Sequence, residues 1–195
     1  MNRHLVRKDC HPLDVRNESR MVHPDTEMHF VSEEVGYGVF AKKPIPHGTI
    51  VYVKDELEIT LTGEQVGELT GALKDIVEKY AYIDSAGKYV VSWDNAKYVN
   101  HSCNFNTIRT GYGFEIAIRD IHSGEEITDD YGLFKLSSPM RINCGCRNCR
   151  GIVMPDDAGR YADQWDAIVA EALVHMQDVP QPLIQFMDTI LPGNC

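Results

Sequence analysis

The chain has 195 residues, of which 43% are hydrophobic and 25% are charged, and its formal net charge is −10. This length and composition allow one domain with a proper core and exclude a disordered chain. The sequence has neither an apolar run long enough to span a bilayer nor the apolar stretch of a signal peptide. We therefore expect a globular protein without a membrane partner. The cytoplasm is the expected compartment, with the nucleus or secretion as a host-directed effector as alternatives.

The negative charge is unevenly distributed. Acidic residues outnumber basic ones over residues 29–134 and 153–195, whereas residues 135–152 contain basic residues and no acidic ones. An acidic body repels phosphate and attracts basic polypeptide. The charge therefore favours a lysine-rich protein partner over direct binding of nucleic acid, although acidic residues that only keep the protein soluble explain it equally well.

In chain order, the first predicted elements are short strands between residues 29 and 60. There, β-branched and aromatic runs are broken by Gly-Tyr-Gly and Pro-His-Gly turns. A single helix is predicted next. Thr62 and Gln65 form a capping box at its start, and apolar residues recur at helical spacing as far as Tyr80, although Gly67 and Gly71 weaken the pattern.

Strand patterns return after this helix. Residues 80–84 and 88–93 are predicted to form a hairpin, and residues 113–121 alternate in the manner of a strand. Two helical stripes follow near the C-terminus, and both are predicted to face the core or an interface. The first stripe is Tyr161, Trp165, Ile168, Val169, Ala172, Leu173 and Met176, and the second is Leu183, Phe186, Met187, Ile190 and Leu191.

Three of the six cysteines lie within six residues of one another, which suits a shared metal ion better than disulfides. They are Cys144, Cys146 and Cys149. Three thiolates on a tight turn supply three of the four soft ligands that tetrahedral zinc prefers, and Gly145 allows the chain to turn. The sequence therefore predicts a zinc site that still needs a fourth ligand.

Cys103 is the best internal candidate for that ligand, with His101 or another histidine as the alternative. Cys10 lies in a polar N-terminal stretch and Cys195 is the last residue. A different interpretation makes Cys103 a nucleophile with His101 as its base. Two residues apart on a strand, however, these side chains would stand about 7 Å apart. That spacing predicts no direct hydrogen bond, so the nucleophile interpretation loses weight.

Two further motifs are weak when taken singly. Gly36-Tyr37-Gly38 normally indicates a tight turn or a bulge, and the glycine spacing does not match a nucleotide-binding fingerprint. Tyr131 ends the strand of "SGEEITDDYG", where a tyrosine is usually part of the packing.

The combination and order of these motifs are specific. Gly-x-Gly, then Asn-His-Ser-Cys, then Gly-Glu-Glu-Ile-Thr-x-Asp-Tyr-Gly, then Cys-x-Cys-x-x-Cys together resemble the SET-domain protein lysine methyltransferases with a post-SET zinc segment. The resemblance covers roughly residues 29–150. The stretches "GYGVFAKKPIPHGTIV" and "AIRDIHSGEEIT" are similar to the family's opening strand and to the approach to its catalytic tyrosine.

The resemblance implies a mainly β fold with α, the β-clip or SET fold, with small curved sheets and a threaded pseudoknot. We expect an N-terminal extension over residues 1–28, a SET domain over 29–134 and a post-SET zinc segment over 135–152. A helical extension over 153–195 has no counterpart in the family pattern.

The resemblance also implies a function, namely transfer of a methyl group from S-adenosyl-L-methionine to a lysine of a histone or another basic protein, leaving S-adenosyl-L-homocysteine. Tyr131 is the expected catalytic residue. The expected cofactor-binding residues are Gly36, Tyr37, Gly38, Tyr98, Asn100 and His101. The expected zinc ligands are Cys103, Cys144, Cys146 and Cys149. The expected substrate-channel residues are Tyr82, Asp129 and Phe134.

Asp129 departs from the family pattern, which has an aromatic or another sizeable apolar residue two places before the catalytic tyrosine. A carboxylate there would hold the substrate ammonium, bind water or turn outward. This departure supports an alternative function, a weak or inactive zinc-stabilised SET scaffold that binds basic peptides or partner proteins. The C-terminal helices are a further candidate surface for a homo-oligomer.

Overall fold

The computed structural model describes residues 21–84 and 86–189. Predictions for residues 1–20 with Cys10, and for Ile190, Leu191 and Cys195, lie outside the described residues. The strands are short. They are β1 Thr26–Ser32, β2 Gly36–Ala41, β3 Ile50–Val53, β4 Ile59–Leu61, β5 Tyr82–Ile83, β6 Tyr89–Val91, β7 Asn100–His101, β8 Thr107–Arg109, β9 Phe114–Ala117, β10 Glu126–Asp129, β11 Met140–Arg141 and β12 Ile152–Val153.

The helices are concentrated in two regions, one between β4 and β5 and one after β12. They are α1 Gly63–Glu68, α2 Ala72–Tyr80, α3 Asp157–Arg160 and α4 Ala162–His175. Single 3₁₀ turns lie at Asn95–Tyr98, Tyr131–Leu133 and Ile184–Thr189.

The capping box of α1 is confirmed, because the Thr62 hydroxyl accepts from the Gln65 amide and the Gln65 side chain accepts from the Thr62 amide. The prediction of one continuous helix is wrong. The chain leaves the helix at Leu69, whose backbone is extended, and starts again after Gly71, whose φ is 60°. The helix-breaking tendency of glycine prevails here over the apolar periodicity.

The strands form four small sheets. Their orders are β1-β2-β10-β7, β3-β9-β8, β4-β6-β5 and β11-β12. The predicted hairpin is confirmed, since Tyr82 pairs with Val90 and Ile83 with Tyr89. In the first sheet β10 lies antiparallel to β2 and parallel to β7. This arrangement brings strands from three separate motifs of the sequence to one place.

The two C-terminal stripes face the core, which is one of the two predicted alternatives, the other being an interface. Trp165 and Ala172 of α4, together with Leu183 and Met187, belong to one apolar cluster with the buried faces of β3, β8 and β9. Every described member of both stripes contacts this cluster. The helical extension is therefore continuous with the β-structure beneath it.

The predicted fold class, small sheets with some helices, is confirmed, while the threading of the chain stays a prediction. Strand β1 begins at Thr26, within the predicted N-terminal extension, and pairs with β2 along most of its length. The proposed domain limits also stay predictions. Among the helices of the described residues, no helix has the length and apolar character needed to cross a membrane.

Candidate active site and metal centre

The parallel pairing of β7 with β10 assembles the candidate site. Asn100 pairs with Thr128 and His101 with Asp129, so the Asn-His-Ser-Cys motif lies beside the strand that leads to Tyr131. Neighbouring strands in a sheet are about 5 Å apart. Two motifs that are separated by some thirty residues in the sequence therefore share one surface.

Tyr131 is fixed at both ends by groups of the neighbouring strand. Its amide donates to His101 Nδ1 at 3.1 Å, and its hydroxyl donates to the Val99 carbonyl at 3.0 Å. Burial, with the nearby charge of Asp129 adding to it, raises the pKa of Tyr131 well above its usual range. The hydroxyl is therefore a neutral hydrogen-bonding group at physiological pH and not a strong base.

A cavity of about 260 Å³ lies beside Tyr131, and Tyr82, Asp129 and Phe134 also line it. The rings of Tyr82 and Phe134 are 5.3 Å apart, and those of Tyr131 and Phe134 are 6.1 Å apart. The guanidinium of Arg109 lies over the rings of Tyr82 and Phe134, at 4.9 Å and 5.6 Å. The structure thus brings the three predicted channel residues and Tyr131 together in a cavity that already accepts a cation against its aromatic walls.

Asp129 is the buried carboxyl group of this cavity, with 2% of its surface exposed. One of its oxygens, Oδ1, accepts from the Asp130 amide at 2.7 Å, and no partner among the described residues reaches Oδ2. Burial, and then the charge of Glu115, raise the pKa of Asp129 well above its usual range. Burial also raises the pKa of Glu115 to about 7, against the opposing effect of Arg109.

A second carboxyl group, Glu58, stands behind the cavity wall. It accepts hydrogen bonds from the hydroxyls of Tyr82 and Ser92, each at 3.2 Å, and contacts the hydroxyl of Tyr52. Burial raises the pKa of Glu58, although these hydrogen bonds oppose the change. Glu58 therefore orients Tyr82 so that the Tyr82 ring faces the cavity.

The Gly-x-Gly motif forms the start of β2 next to Asn100. The Asn100 side-chain amide donates to the Tyr37 carbonyl at 3.1 Å and to Glu126 Oε1 at 2.7 Å. Gly36 has a φ of 89°, in the left-handed region. A Cβ atom on Gly38 would stand 2.3 Å from Glu126 Oε1 and 3.0 Å from Asn100 Nδ2. The absence of a side chain at Gly38 is thus what lets this hydrogen-bonded pair approach the strand.

Aromatic rings and ammonium groups surround the same strand. The ring of Tyr98 lies 6.0 Å from that of Tyr37 and 5.3 Å from that of Tyr80. Lys97 Nζ is 5.1 Å from the Tyr98 ring, and Lys79 Nζ is 5.3 Å from the Tyr80 ring. The aromatic faces suit an aromatic base, the ammonium groups suit a carboxylate, and the Glu126 carboxylate suits a cationic centre. S-adenosyl-L-methionine contains all three of these groups.

The cysteines form a cluster between the β7 loop and the post-SET segment. Cys144 Sγ lies 3.4 Å from Cys146 Sγ and accepts the Cys103 amide at 3.5 Å, and Cys103 Sγ accepts the Arg150 amide at 3.3 Å. Cys149 also contributes a side-chain hydrogen bond to Cys144. The structure therefore brings all four predicted zinc ligands together, across more than forty residues of sequence.

The chemistry of this cluster fits zinc. Although burial opposes ionisation, hydrogen bonds from the Cys103 and Cys146 amides and from the neighbouring thiols lower the pKa of Cys144 to about 6. Burial raises the pKa of Cys103 to about 11 in the absence of a metal cation. Gly145 takes the left-handed conformation, φ 69°, in the turn between the first two thiols. Three thiols on one tight turn, with Cys103 beside Cys144, are a set of soft donors that fits tetrahedral zinc.

The predicted separation of His101 and Cys103 is wrong. His101 Nε2 lies 3.3 Å from Cys103 Sγ, because β7 ends at His101 and the chain turns at once instead of continuing as an extended strand. Since His101 Nδ1 accepts the Tyr131 amide, the ring proton is on Nε2 and donates to the sulfur. Ligand atoms of His101, Cys103 and Cys144 all lie within 4.8 Å of one another. With both ring nitrogens engaged by the protein, the imidazole supports Cys103 as an outer partner.

Sequence reasoning missed several charged residues of the site. Glu126 holds Asn100, Arg109 and Glu115 are cross-strand neighbours at the cavity, and Arg150 joins the cysteine cluster to Asp130 at 2.5 Å. Alternation along residues 113–121 places the Glu115 side chain on the other face of the strand from its apolar neighbours. Only the pairing of β8 with β9 shows that Glu115 lies beside Arg109.

Comparison with known proteins finds the family that the sequence motifs resemble. Residues 36–132 match the family model described as SET domain. A variant-silencing SET domain-containing protein of Plasmodium falciparum is 31% identical over 136 residues, which are 60% of this chain and 5% of that protein. A histone-lysine N-methyltransferase of Arabidopsis thaliana is 31% identical over 144 residues, 63% of this chain and 12% of that protein. The chain thus spans only a small part of the length of these curated relatives.

Among solved structures, that of KRYPTONITE in complex with mCHH DNA, an H3(1-15) peptide and SAH matches 66% of this chain and 29% of its own. The sequence identity is 18% and the TM-score is 0.47.

Proposed function

Because this chain belongs to the SET-domain family, we propose that it is an S-adenosyl-L-methionine-dependent protein-lysine N-methyltransferase. The observation that carries the proposal is the aromatic cavity whose wall includes Tyr131 and which lies beside the Gly-x-Gly and Asn-His motifs. A lysine side chain is long, apolar along its stem and cationic at its tip. Aromatic walls that already hold the Arg109 guanidinium suit such a group.

In this proposal the cofactor is held at the start of β2. The backbone of Gly36 and Gly38 lies against it, Tyr37 and Tyr98 supply aromatic faces, and Asn100 is oriented by Glu126. The polypeptide backbone of His101 completes the site. When bound, the cofactor supplies an activated methyl group on a positively charged sulfur.

Tyr131 aligns the reacting groups. Its hydroxyl donates to the Val99 carbonyl, which leaves the oxygen lone pairs available toward the cavity for the N–H groups of a substrate amine. Because the hydroxyl stays neutral, it orients the amine without removing its proton. Alignment of this kind, in a site that excludes water, accounts for a large part of the rate in a displacement reaction.

The zinc site is assigned to structural support. Four cysteines, Cys103 in the β7 loop and three in the post-SET segment, would close a tetrahedral shell with no position left for a substrate. Since Cys103 follows His101 by two residues, the metal would hold the post-SET segment against the strand that carries Tyr131's partners. Loss of the metal is then a loss of local order and not of a reacting group.

A basic protein is the proposed substrate class, since the chain itself is strongly acidic. The test is transfer of tritium from labelled S-adenosyl-L-methionine to core histones and to other lysine-rich proteins, with calorimetric binding of S-adenosyl-L-homocysteine measured in parallel. Transfer supports the enzyme. Binding of basic protein with neither transfer nor cofactor binding supports the alternative scaffold, for which the carboxyl group at Asp129 is the favouring observation.

A further inference from the structure

We propose that Asp129, paired with Glu115, is the group that accepts the proton of the substrate's ammonium before methyl transfer. The inference rests on the proposed lysine methyltransferase function and assigns an additional catalytic residue to the same cavity. It starts from a feature that the proposed function leaves unexplained, namely a buried carboxyl group beside the aromatic residues of the cavity.

Asp129 borders the proposed reaction space. The residue is 2% exposed and lines the same cavity as Tyr131. Its Oδ1 is held by the Asp130 amide at 2.7 Å, whereas Oδ2 has no partner among the described residues. A buried oxygen without a donor is costly unless a ligand supplies one. An N–H of a substrate ammonium is a donor of the right charge for this position.

Titratable groups of the neighbouring strands surround Asp129, and His101 of β7 is its direct pairing partner. Glu115 on β9 and Arg109 on β8 are cross-strand neighbours, and both line the cavity. Asp130 follows directly after β10, and the charge of Glu58 acts on Glu115. The same cavity is also lined by Glu78 and by Lys54, Lys79, Lys97 and Lys135. Burial and the charge of Glu115 raise the pKa of Asp129, so this carboxyl group exchanges a proton nearer to neutral pH than a free aspartate does.

The proton transfer balances within the site. A free lysine has a pKa of about 10.4 and enters the channel as the ammonium. One N–H bond of the ammonium breaks and one O–H bond forms on the carboxylate, which leaves the nitrogen lone pair free to take the methyl group. The carboxyl group afterwards returns its proton to solvent. A general base is most effective when its pKa lies near the working pH, and burial together with the charge of Glu115 raises the pKa of Asp129 in that direction.

The test is the pH dependence of kcat/KM for the wild type and for Asp129→Asn, using core histones as substrate between pH 6 and 9.5. The wild-type rate should rise with pH and level off once the carboxyl pair is ionised. The variant keeps the shape of the side chain and loses the proton acceptor. We expect its rate at pH 7 to fall about a hundredfold and to keep rising toward the pKa of the free amine.

A substrate analogue separates proton transfer from binding. A histone H3 peptide in which lysine is replaced by S-aminoethylcysteine carries an amine that loses its proton more readily. It should restore most of the rate of Asp129→Asn if the residue removes a proton, and it should restore nothing if the residue only binds the cation. Glu115→Gln should change the rate in the same direction, while Asp163→Asn, on the exposed face of α4, should behave as the wild type.

Failure of the inference is distinct from failure of the proposed function. An Asp129→Asn variant that binds S-adenosyl-L-homocysteine normally and has the wild-type pH profile overturns the role of Asp129. The absence of rescue by the aminoethyl analogue overturns it as well. A wild-type chain that transfers no methyl group to any lysine-rich protein overturns the proposed function and this inference with it.

Discussion

Tyr131 is held by two acceptors of the same neighbouring segment, the His101 ring and the Val99 carbonyl. Only the second of these bonds involves the side chain. Removal of the hydroxyl therefore leaves the backbone turn in place and takes away one oxygen from the cavity. This separation makes the role of the hydroxyl measurable without unfolding the site.

For Tyr131→Phe we expect turnover to fall about a hundredfold, in line with the loss of one preorganised hydrogen-bonding group at a reacting centre. The affinity for S-adenosyl-L-homocysteine should stay within about twofold, because Tyr131 is assigned to the amine and not to the cofactor. Single-turnover kinetics and calorimetry measure the two quantities. An unchanged rate would remove Tyr131 from its role.

Gly38 offers a second residue-scale prediction, this time on cofactor binding. The added Cβ of Gly38→Ala would stand 2.3 Å from Glu126 Oε1, so the Glu126 carboxylate must leave Asn100. We expect weaker binding of S-adenosyl-L-homocysteine by about tenfold, equivalent to one lost charge-assisted hydrogen bond. The control is Gly111→Ala, where an added Cβ meets nothing within 4 Å. Equal affinities of the two variants would contradict the assignment.

The sequence predicted the motif residues of the site, including Asp129, but not the charged residues around it. Asn100, Tyr131 and the cysteines stand out because their chemistry and spacing are unusual. Arg109 and Glu115 look like ordinary surface residues of two strands. Only the cross-strand register, which depends on long-range pairing, places them beside Asp129.

At the scale of elements, the segment of residues 135–152 is joined to the rest of the molecule by side chains more than by strands. Arg150 contacts three groups: its amide donates to Cys103 Sγ, its guanidinium pairs with Asp130, and the guanidinium lies 5.2 Å from the Tyr161 ring. Asp130 is 1% exposed and also accepts the Gly132 amide at 2.9 Å. The cysteine cluster, the turn at Tyr131 and the C-terminal helices thus meet at Arg150.

We expect one zinc ion per chain, and we expect Cys103→Ser to lose most of it. The hydroxyl is a poorer zinc ligand than a thiolate, and the remaining three cysteines lie on one short turn without a fourth donor of the same kind. Elemental analysis measures the metal, and limited proteolysis of residues 135–152 measures the loosened segment. Cys195→Ser is the matched control and should retain zinc. Full zinc content in Cys103→Ser would instead favour His101 as the ligand.

The ends of helices and strands show why the sequence did not predict the remaining features of the fold and the site. The apolar periodicity that predicts one helix is present, but the chain is extended at Leu69 and resumes its helix after Gly71. In the same way, the sequence predicts an extended strand at His101 and Cys103, with the two side chains well apart. The turn after His101 brings these side chains into contact instead. In the first case a local signal, the glycine, prevails over the periodicity, whereas the turn after His101 has no local pattern that predicts it.

The whole molecule depends on contacts between the C-terminal helices and the sheets. Trp165 of α4 is 5% exposed, and its ring lies 3.0 Å from the position of a Cβ on Gly132, directly after Tyr131. The helical extension therefore supports the turn that carries the candidate catalytic tyrosine. The amphipathic stripes predicted this face, but the sequence did not indicate which sheet it covers.

Gln181 supplies the test at this scale, because its side chain ties the segment after α4 to β3. Its Oε1 accepts the Ile50 amide at 2.9 Å, and its Nε2 donates to the carbonyls of Gly48 and Met176 at 2.7 Å and 2.8 Å. Ile50 is fully buried, so truncation of Gln181 leaves its amide without an acceptor. We expect Gln181→Ala to lower the free energy of unfolding by about 2 kcal/mol.

The matched control is Gln185→Ala. Gln185 is exposed, and its side chain donates only to the Pro182 carbonyl, at 3.5 Å. We expect this change to stay within about 0.5 kcal/mol of the wild type. Urea denaturation followed by far-ultraviolet circular dichroism should give one transition for Gln181→Ala, with its midpoint shifted as a whole, because α4 and β3 share one apolar cluster. A separate early transition would mean that the C-terminal helices unfold independently of the sheets that hold the site.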